Sequence, residues 1–283
     1  MRLDGPDLAH GWLAVAPAMA TEKDAPAALH KAVTIEEYAT GVRLIASDGY
    51  VLVTAWVPDL EHHYDTAEPD IADAPERTVV ASDRHGRARG LLGHVLTLAG
   101  EIDAEDYAPG NLELSIDFDV RAPAGSGAGD EALEGMEATF VVLAVPDVEK
   151  VYLEVVEAEP LAGRGWRNVV SNHEPAKTEA IVLNPDFLGR VGKVGRHATG
   201  AVSWEFGGSD RPAMLDWTEA SPHVSGIVMP RSRDDNTKPD PDTGSTGCAA
   251  CDAGTLCLRH SSGVVLRAVD LDTDADTDGE VDQ

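Results

Sequence analysis

The chain has 283 residues, with 50 acidic against 22 basic side chains and a formal charge of −28 at pH 7. A hydrophobic content of 43% is ordinary for a globular protein, and the length allows one large or two modest domains. No window of 18 consecutive apolar residues occurs and the N-terminus lacks a signal-peptide pattern, so we expect a cytoplasmic protein without a membrane span.

The first predicted unit is a helix followed by three strands. Leu8, Trp12, Val15 and Met19 recur at helical spacing, and Pro17 is expected to interrupt or kink the last turn. Alternating segments separated by Thr-Gly and Asp-Gly turns predict the strands, at residues 32–37, 42–46 and 50–56. The acidic, proline-containing residues 58–76 are predicted to form a solvated loop, with His62, His63 and Asp65 on its surface.

Two further units show the same order of elements. In the second, a strand at 78–82 precedes a helix through Leu91 and Val95, and strands follow at 112–120, 139–145 and 151–156. Between the first two of these strands, residues 122–129 are rich in Gly, Ala and Pro and predict a flexible hairpin connection.

In the third unit, a strand at 179–183 leads into Asn-Pro-Asp at 184–186, which supplies an N-cap, a proline at the first helical position and a first-turn acid. The helix carries Phe187, Leu188, Val191 and Val194 on one side. Strands are predicted after it at 201–206, 212–217 and 224–229.

Strand, helix and three strands thus recur about three times. This order predicts an α+β fold in which a few helices pack on one face of antiparallel sheets. After residue 231 the composition changes to Asp, Pro, Thr and Gly, which indicates a linker and an acidic tail.

All three cysteines lie in that tail, in a Cys-x2-Cys-x5-Cys-x2-His pattern. Thiolates and an imidazole at this spacing are ligands that tetrahedral zinc prefers, so a structural zinc site is one interpretation. The other is a reduced tail with unligated thiols. The candidate ligands are Cys248, Cys251, Cys257 and His260.

Basic side chains are concentrated at two of the predicted helices. Such a concentration in an acidic chain is typical of helix surfaces that contact phosphate, without sequence preference because few of these side chains could read bases. An ordinary solvated helix face is the alternative. The residues concerned are Arg84, Arg87 and Arg89 before and in the second helix, and Arg190, Lys193 and Arg196 opposite the apolar side of the third.

Four short segments, in order, resemble the bacterial DNA polymerase III β subunit, the replicative sliding clamp, and in particular its shortened phage-encoded forms. GVRLIASDGYVL at 41–52 is similar to a strand–turn–strand of the family, and WRNV at 166–169 to its linker between the second and third domains. LNPDFL at 183–188 is similar to a strand-to-helix entry, and IVMPR at 227–231 to the family's terminal strand.

The resemblance implies a ring with sheets outside and helices inside, which tethers a replicative polymerase to duplex DNA and has no enzymatic activity of its own. It implies one complete clamp-type domain at 1–167 and an abbreviated one at 168–231, followed by a tail at 232–283 without a counterpart in the family. Three units per chain leave a trimeric and a tetrameric ring open, as well as a relative that does not encircle DNA.

The resemblance also implies a pocket that binds peptides from polymerases and clamp loaders. Its residues would be Ser47, Gly49, Tyr50, Val51, Leu52, Arg167, Asn168, Val169, Val228 and Met229. Plain strand core is the alternative interpretation of these positions, above all for Leu52 and Val228. Tyr50 and Val51 replace a histidine and an arginine of the family, so partner choice is expected to differ. The alternative function is a zinc-containing, clamp-derived adaptor that binds a replication protein without encircling DNA.

Overall fold

The structure is a computed structural model of the chain. It describes residues 1–19, 31–63, 68–71, 73–83, 85–103, 105–123, 137–146, 148–156, 166–177, 180–198, 201–208, 211–217, 222–230 and, as backbone, 264–267.

The described residues contain three units of one strand, one helix and three further strands, so the predicted order is confirmed. The first unit comprises β1 (Arg2–Asp4), α1 (Gly5–Val15), β2 (Ala32–Tyr38), β3 (Gly41–Ser47) and β4 (Val51–Pro58). The second comprises β5 (Arg77–Ser82), α2 (Arg87–Gly100), β6 (Glu113–Pro123), β7 (Glu137–Val145) and β8 (Glu149–Val155). The third comprises β9 (Ala180–Leu183), α4 (Pro185–Val194), β10 (Ser203–Phe206), β11 (Ala213–Trp217) and β12 (His223–Val228).

Three short elements lie outside this scheme. A 3-10 helix (Ala16–Ala18) follows α1, which therefore ends before Pro17, as the predicted interruption requires. Helix α3 (Trp166–Ser171) connects the second and third units, and β13 (Val264–Arg267) pairs with β9 in a separate two-stranded sheet. The second unit's hairpin connection was predicted at 122–129; β6 extends to Pro123, and the remainder lies outside the described residues.

Eleven strands form one antiparallel sheet in the order β1-β6-β7-β8-β5-β2-β3-β4-β12-β11-β10. The first two units exchange their first strands, since β1 pairs with β6 of the second unit and β5 pairs with β2 of the first. The third unit joins the first through β12, which pairs with β4 from His223↔Trp56 to Val228↔Val51. The α+β class with antiparallel strands is thus confirmed.

Side-chain alternation gives the central strands two different faces. Along β3 and β4, residues such as Leu44 and Val53 enter the main core, against which α1, α2 and α4 pack; we call this the helix side. Their neighbours Ile45 and Leu52 point the other way and form a second, smaller cluster with Trp166 of α3. We call this the outer side.

The loop predicted at 58–76 is only partly solvated. Residues 68–71 lie over the outer side, where the Pro69 carbonyl accepts a hydrogen bond of 2.7 Å from Arg43 and Ile71 packs against the second cluster. This segment packs on the sheet because Arg43, which is fully buried in β3, needs acceptors above it. His62 and His63 lie in a turn beside Asp59 and Asp7, while Asp65 is outside the described residues.

Candidate functional site

The start of α2 places two of the predicted cations on the helix side. Arg87 and Arg89 lie in the first helical turn, with Arg89 exposed, and Arg84 is outside the described residues. Cations at a helix N-terminus oppose the helix dipole, and Asp83 offsets them by accepting hydrogen bonds from the backbone N–H groups of Ala88 (3.1 Å) and Arg89 (3.3 Å). The two arginines are therefore held in a position that helix stability alone does not favour.

Helix α4 begins as predicted, with the Asn184 side chain accepting a hydrogen bond of 3.0 Å from the Asp186 backbone. Its apolar side is buried, and Lys193 and Arg196 are exposed, although Arg196 follows the end of the helix at Val194. Arg190 differs from both, because it is ion-paired with the buried Asp48 of the turn between β3 and β4. It fastens the third unit to the first.

Cations from both helices converge beside two histidines. Burial lowers the pKa of His197 below the usual histidine value, and the nearby charges of His10, Arg89 and Arg196 lower it further. Burial likewise lowers the pKa of His10 in α1, whose ring is hydrogen-bonded to the His197 backbone. Arg89 in the first turn of α2 and Arg196 just after α4 thus both lie near His197. The histidines were not predicted, because residues 10 and 197 meet only in the folded chain.

The turn between β3 and β4 is rigid and partly exposed. Asp48 Oδ1 accepts hydrogen bonds from the N–H groups of Tyr50 (2.9 Å) and Val51 (2.8 Å), and Ser47 Oγ accepts one of 2.9 Å from Gly49. Gly49 has φ +96°, a conformation that favours glycine. Tyr50 is 59% exposed and stacks on Phe187 of α4, with ring centroids 5.6 Å apart.

On the outer side, an apolar slot is formed by Ile45, Leu52 and Ile227, which lie on three neighbouring strands. The indole of Trp166, 6% exposed, packs into this slot, and Val169, Val170, Ile71 and Met214 pack around it. Leu52 and Val169 of the predicted peptide pocket are thus brought together. Ile45, Ile227 and Trp166 were not predicted as site residues, although alternation from Leu52 along paired strands points to the first two.

The other predicted pocket residues do not lie together: some are in the helix-side core, and others are exposed at a strand end or on α3. Val51 and Val228 have no exposed surface and belong to the helix-side core, because they alternate with Leu52 and Ile227. They therefore have no access to the outer face. Met229 is 37% exposed and its N–H donates to the Tyr50 carbonyl at 2.8 Å. Asn168 is exposed on α3.

Arg167 attaches α3 to the sheet through a buried network. Its Nη2 donates to Glu36 Oε2 at 2.6 Å and to the Tyr38 hydroxyl at 3.0 Å, and its Nη1 donates to the Ile71 carbonyl. Arg43 Nη1 lies 3.7 Å from the same Glu36 oxygen and donates to Tyr38 at 2.9 Å. One fully buried carboxylate therefore serves two arginines. Burial raises the pKa of Tyr38 above its ordinary value, so the phenol stays neutral.

A histidine completes the attachment of residues 68–71. The ring of His223 contacts Glu68 Oε2 through Nδ1 at 2.6 Å and Asp216 Oδ1 through Nε2 at 3.1 Å. The hydrogen bond to Glu68 is the main reason that the pKa of His223 lies above the usual histidine value. With a carboxylate at each ring nitrogen, the protonated imidazolium is the favoured form.

The predicted zinc ligands Cys248, Cys251, Cys257 and His260 all lie outside the described residues. Among the residues that are described, no group of three or more His, Cys, Asp or Glu side chains is arranged to hold a metal ion. The described helices include none that is long and apolar enough to cross a membrane.

No protein-family model matches the sequence, and no curated protein matches it. The fold is similar to solved structures of bacterial sliding clamps. These include a putative DNA polymerase III β subunit from Eubacterium rectale (10% identity, TM-score 0.46) and the β subunit from Thermotoga maritima (15% identity, TM-score 0.46). A third is a clamp from Pseudomonas aeruginosa bound to griselimycin (14% identity, TM-score 0.43). Each match covers 82% of this chain and 65% of the other, so the chain spans less than two thirds of these proteins.

Proposed function

We propose that the protein is a clamp-type processivity factor that acts in DNA replication without enzymatic activity. It binds duplex DNA without sequence preference through the helix side of its sheet. On the outer side it docks peptides of a replicative polymerase and of a clamp loader. It works in the cytoplasm of a bacterium or of a phage-infected cell.

The observation that carries this proposal is the convergence of cations from separate helices on one surface. The charges of Arg89 in α2 and of Arg196 after α4 both lower the pKa of His197. The exposed Lys193 lies one turn before Arg196. Lys and Arg on adjoining helix surfaces suit contacts to the phosphate backbone, which supply affinity without reading sequence. Because the whole chain has a net charge of −28, the surface around these cations is more positive than the average surface of the protein.

The outer side supports the peptide-docking part of the proposal. Apolar side chains of three strands meet there beside Val169 of α3, and the exposed Met229, just past the end of β12, continues the apolar surface. An apolar surface bordered by a few polar groups suits short hydrophobic peptide segments.

We further propose that the chain forms a homo-oligomeric ring of three or four copies. The continuous pairing of β4 with β12 keeps α1, α2 and α4 on the same side of one sheet, as the lining of a ring requires. A mass measurement of the native complex distinguishes trimer from tetramer, and a strict monomer at micromolar concentration would refute the ring.

Charge reversal of one lysine tests the DNA surface. Lys193→Glu is expected to weaken duplex binding and to reduce the salt slope by about two, since one cation is lost and one anion is gained. Lys150→Glu is the matched control, because Lys150 is equally exposed but lies on the outer side of β8. Equal effects of the two variants would remove Lys193 from the interface.

Topological linkage is tested by retention on circular DNA and its loss when the same DNA is made linear. Equal retention on both forms would contradict encirclement.

Absence of DNA binding by the unmodified chain would favour the second candidate, a zinc-containing adaptor that binds a replication protein only. That candidate is supported by the large acidic excess and by the cysteine cluster of the tail.

A further inference from the structure

The apolar slot of the outer side is filled by the protein's own side chain. Trp166, the first residue of α3, is 6% exposed and packs against Ile45, Leu52 and Ile227. These three residues lie on adjacent strands, and Leu52 and Ile227 are direct cross-strand partners. The indole thus covers the surface that a docked peptide would need.

The ring of Trp166 packs well against the slot, but its indole N–H group is not hydrogen-bonded to any described residue. The indole Nε1–H is buried and has no hydrogen-bond acceptor among the described residues. A buried tryptophan normally finds an acceptor for this group, and an unpaired buried donor disfavours the state that buries it. The closed slot is therefore less stable than its apolar packing alone would make it.

Helix α3 can release Trp166 without leaving the sheet. It has six residues, too few to be stable as an isolated helix, so its contacts with the sheet hold it in place. The strongest of these belong to Arg167, whose guanidinium bonds Glu36 and Tyr38 and also lies over the Trp166 ring, 5.1 Å from its centroid. A change of side-chain rotamer at Trp166 would open the slot while these bonds persist.

We propose that Trp166 is an internal ligand of the slot, and that a partner peptide binds by replacing its indole with an aromatic or branched apolar side chain. A backbone carbonyl of that peptide can accept the Trp166 N–H or leave it in water. Met229 lies two residues beyond Ile227, just past the end of β12, and offers an exposed contact for the rest of the peptide. This inference rests on the proposed peptide docking. It adds that the Trp166 indole and the peptide compete for the slot, and that this competition sets the affinity for the peptide.

Fluorine NMR of the full chain labelled with 5-fluorotryptophan observes Trp166 directly, and Trp166→Phe assigns its resonance among the five tryptophans. The probe is griselimycin, which is bound in the solved clamp from Pseudomonas aeruginosa. We expect griselimycin to shift the Trp166 resonance and to leave that of the core residue Trp12 in place. Trp166→Ala should bind it about tenfold more tightly, because the closed state no longer reduces the competent fraction.

Ser171→Ala is the matched control, since Ser171 is exposed at the end of the same helix, and it should bind as the unmodified chain does. Binding with an unmoved Trp166 resonance and no gain in Trp166→Ala would overturn the inference and leave peptide docking standing. No binding to any variant would overturn both. If Trp166→Ala fails to fold, Trp166→Phe should still bind more tightly than the unmodified chain, and equal binding would count against the inference.

Discussion

Removing the charge of Glu36 should destabilise the protein far more than removing that of its neighbour. Glu36 is fully buried, and its Oε2 lies 2.6 Å from Arg167 and 3.7 Å from Arg43. Glu36→Gln keeps the shape and leaves both guanidinium groups without that carboxylate. Loss of one partner from a buried ion pair typically costs about 3–5 kcal/mol, and two arginines share this one.

Glu37→Gln is the matched control, because Glu37 is next in β2 but its partner Arg77 is 42% exposed at 3.4 Å. An exposed pair contributes about 0–1 kcal/mol. Urea unfolding of both variants measures the difference, with the slope of the transition checked for two-state behaviour. If Glu36→Gln loses no more than about 1 kcal/mol relative to Glu37→Gln, the network does not hold α3 and residues 68–71 on the sheet as described.

Four further predictions concern other parts of the chain. Duplex affinity should rise as pH falls below about 6.5, because phosphate favours the protonated forms of His10 and His197, whose pKa values are lowered in the free protein. A double Gln variant should flatten this profile in binding titrations. Without DNA, these two groups should lower stability as pH falls below about 6.5, since their folded pKa values are depressed and the unfolded chain binds protons more readily. Gly226→Ala should cost about 1–3 kcal/mol in thermal or urea unfolding, because its Cβ would lie 2.8 Å from a carbonyl oxygen of β4, whereas Gly189→Ala meets no atom within 4 Å and should be neutral or stabilising. Cys248→Ser should lower the zinc content per chain in metal analysis, and an unchanged content would contradict a zinc site in the tail.

Local sequence signals predicted helix α4 well. The Asn-Pro-Asp start and the 3.6-residue spacing of Phe187, Val191 and Val194 are properties of adjacent residues, and α4 begins and buries its side chains accordingly. The three-residue strand β1 escaped prediction because it is too short to show alternation. Its partner β6 begins more than 100 residues later in the chain.

The candidate site was less accessible to prediction, because its contacts are long-range. Trp166 meets Leu52 and Ile227, and Arg167 meets Glu36, only when the sheet is assembled. One signal was present in the sequence: Glu36 and Arg43 are charged residues within the predicted strands 32–37 and 42–46, and they prove to be cross-strand partners. Such a pair indicates that hydrogen-bonding groups from another part of the chain must cover that face of the sheet.

The seam between β4 and β12 has a mechanical consequence. Six residue pairs join the first unit to the third, so hinge bending at this boundary would break a ladder of backbone hydrogen bonds together with the Arg190–Asp48 ion pair. Within one chain, the curvature of the sheet is therefore set when the protein folds and is not adjusted afterwards. If copies of the chain assemble as proposed, any opening of that assembly would therefore occur at the contacts between copies and not within a subunit.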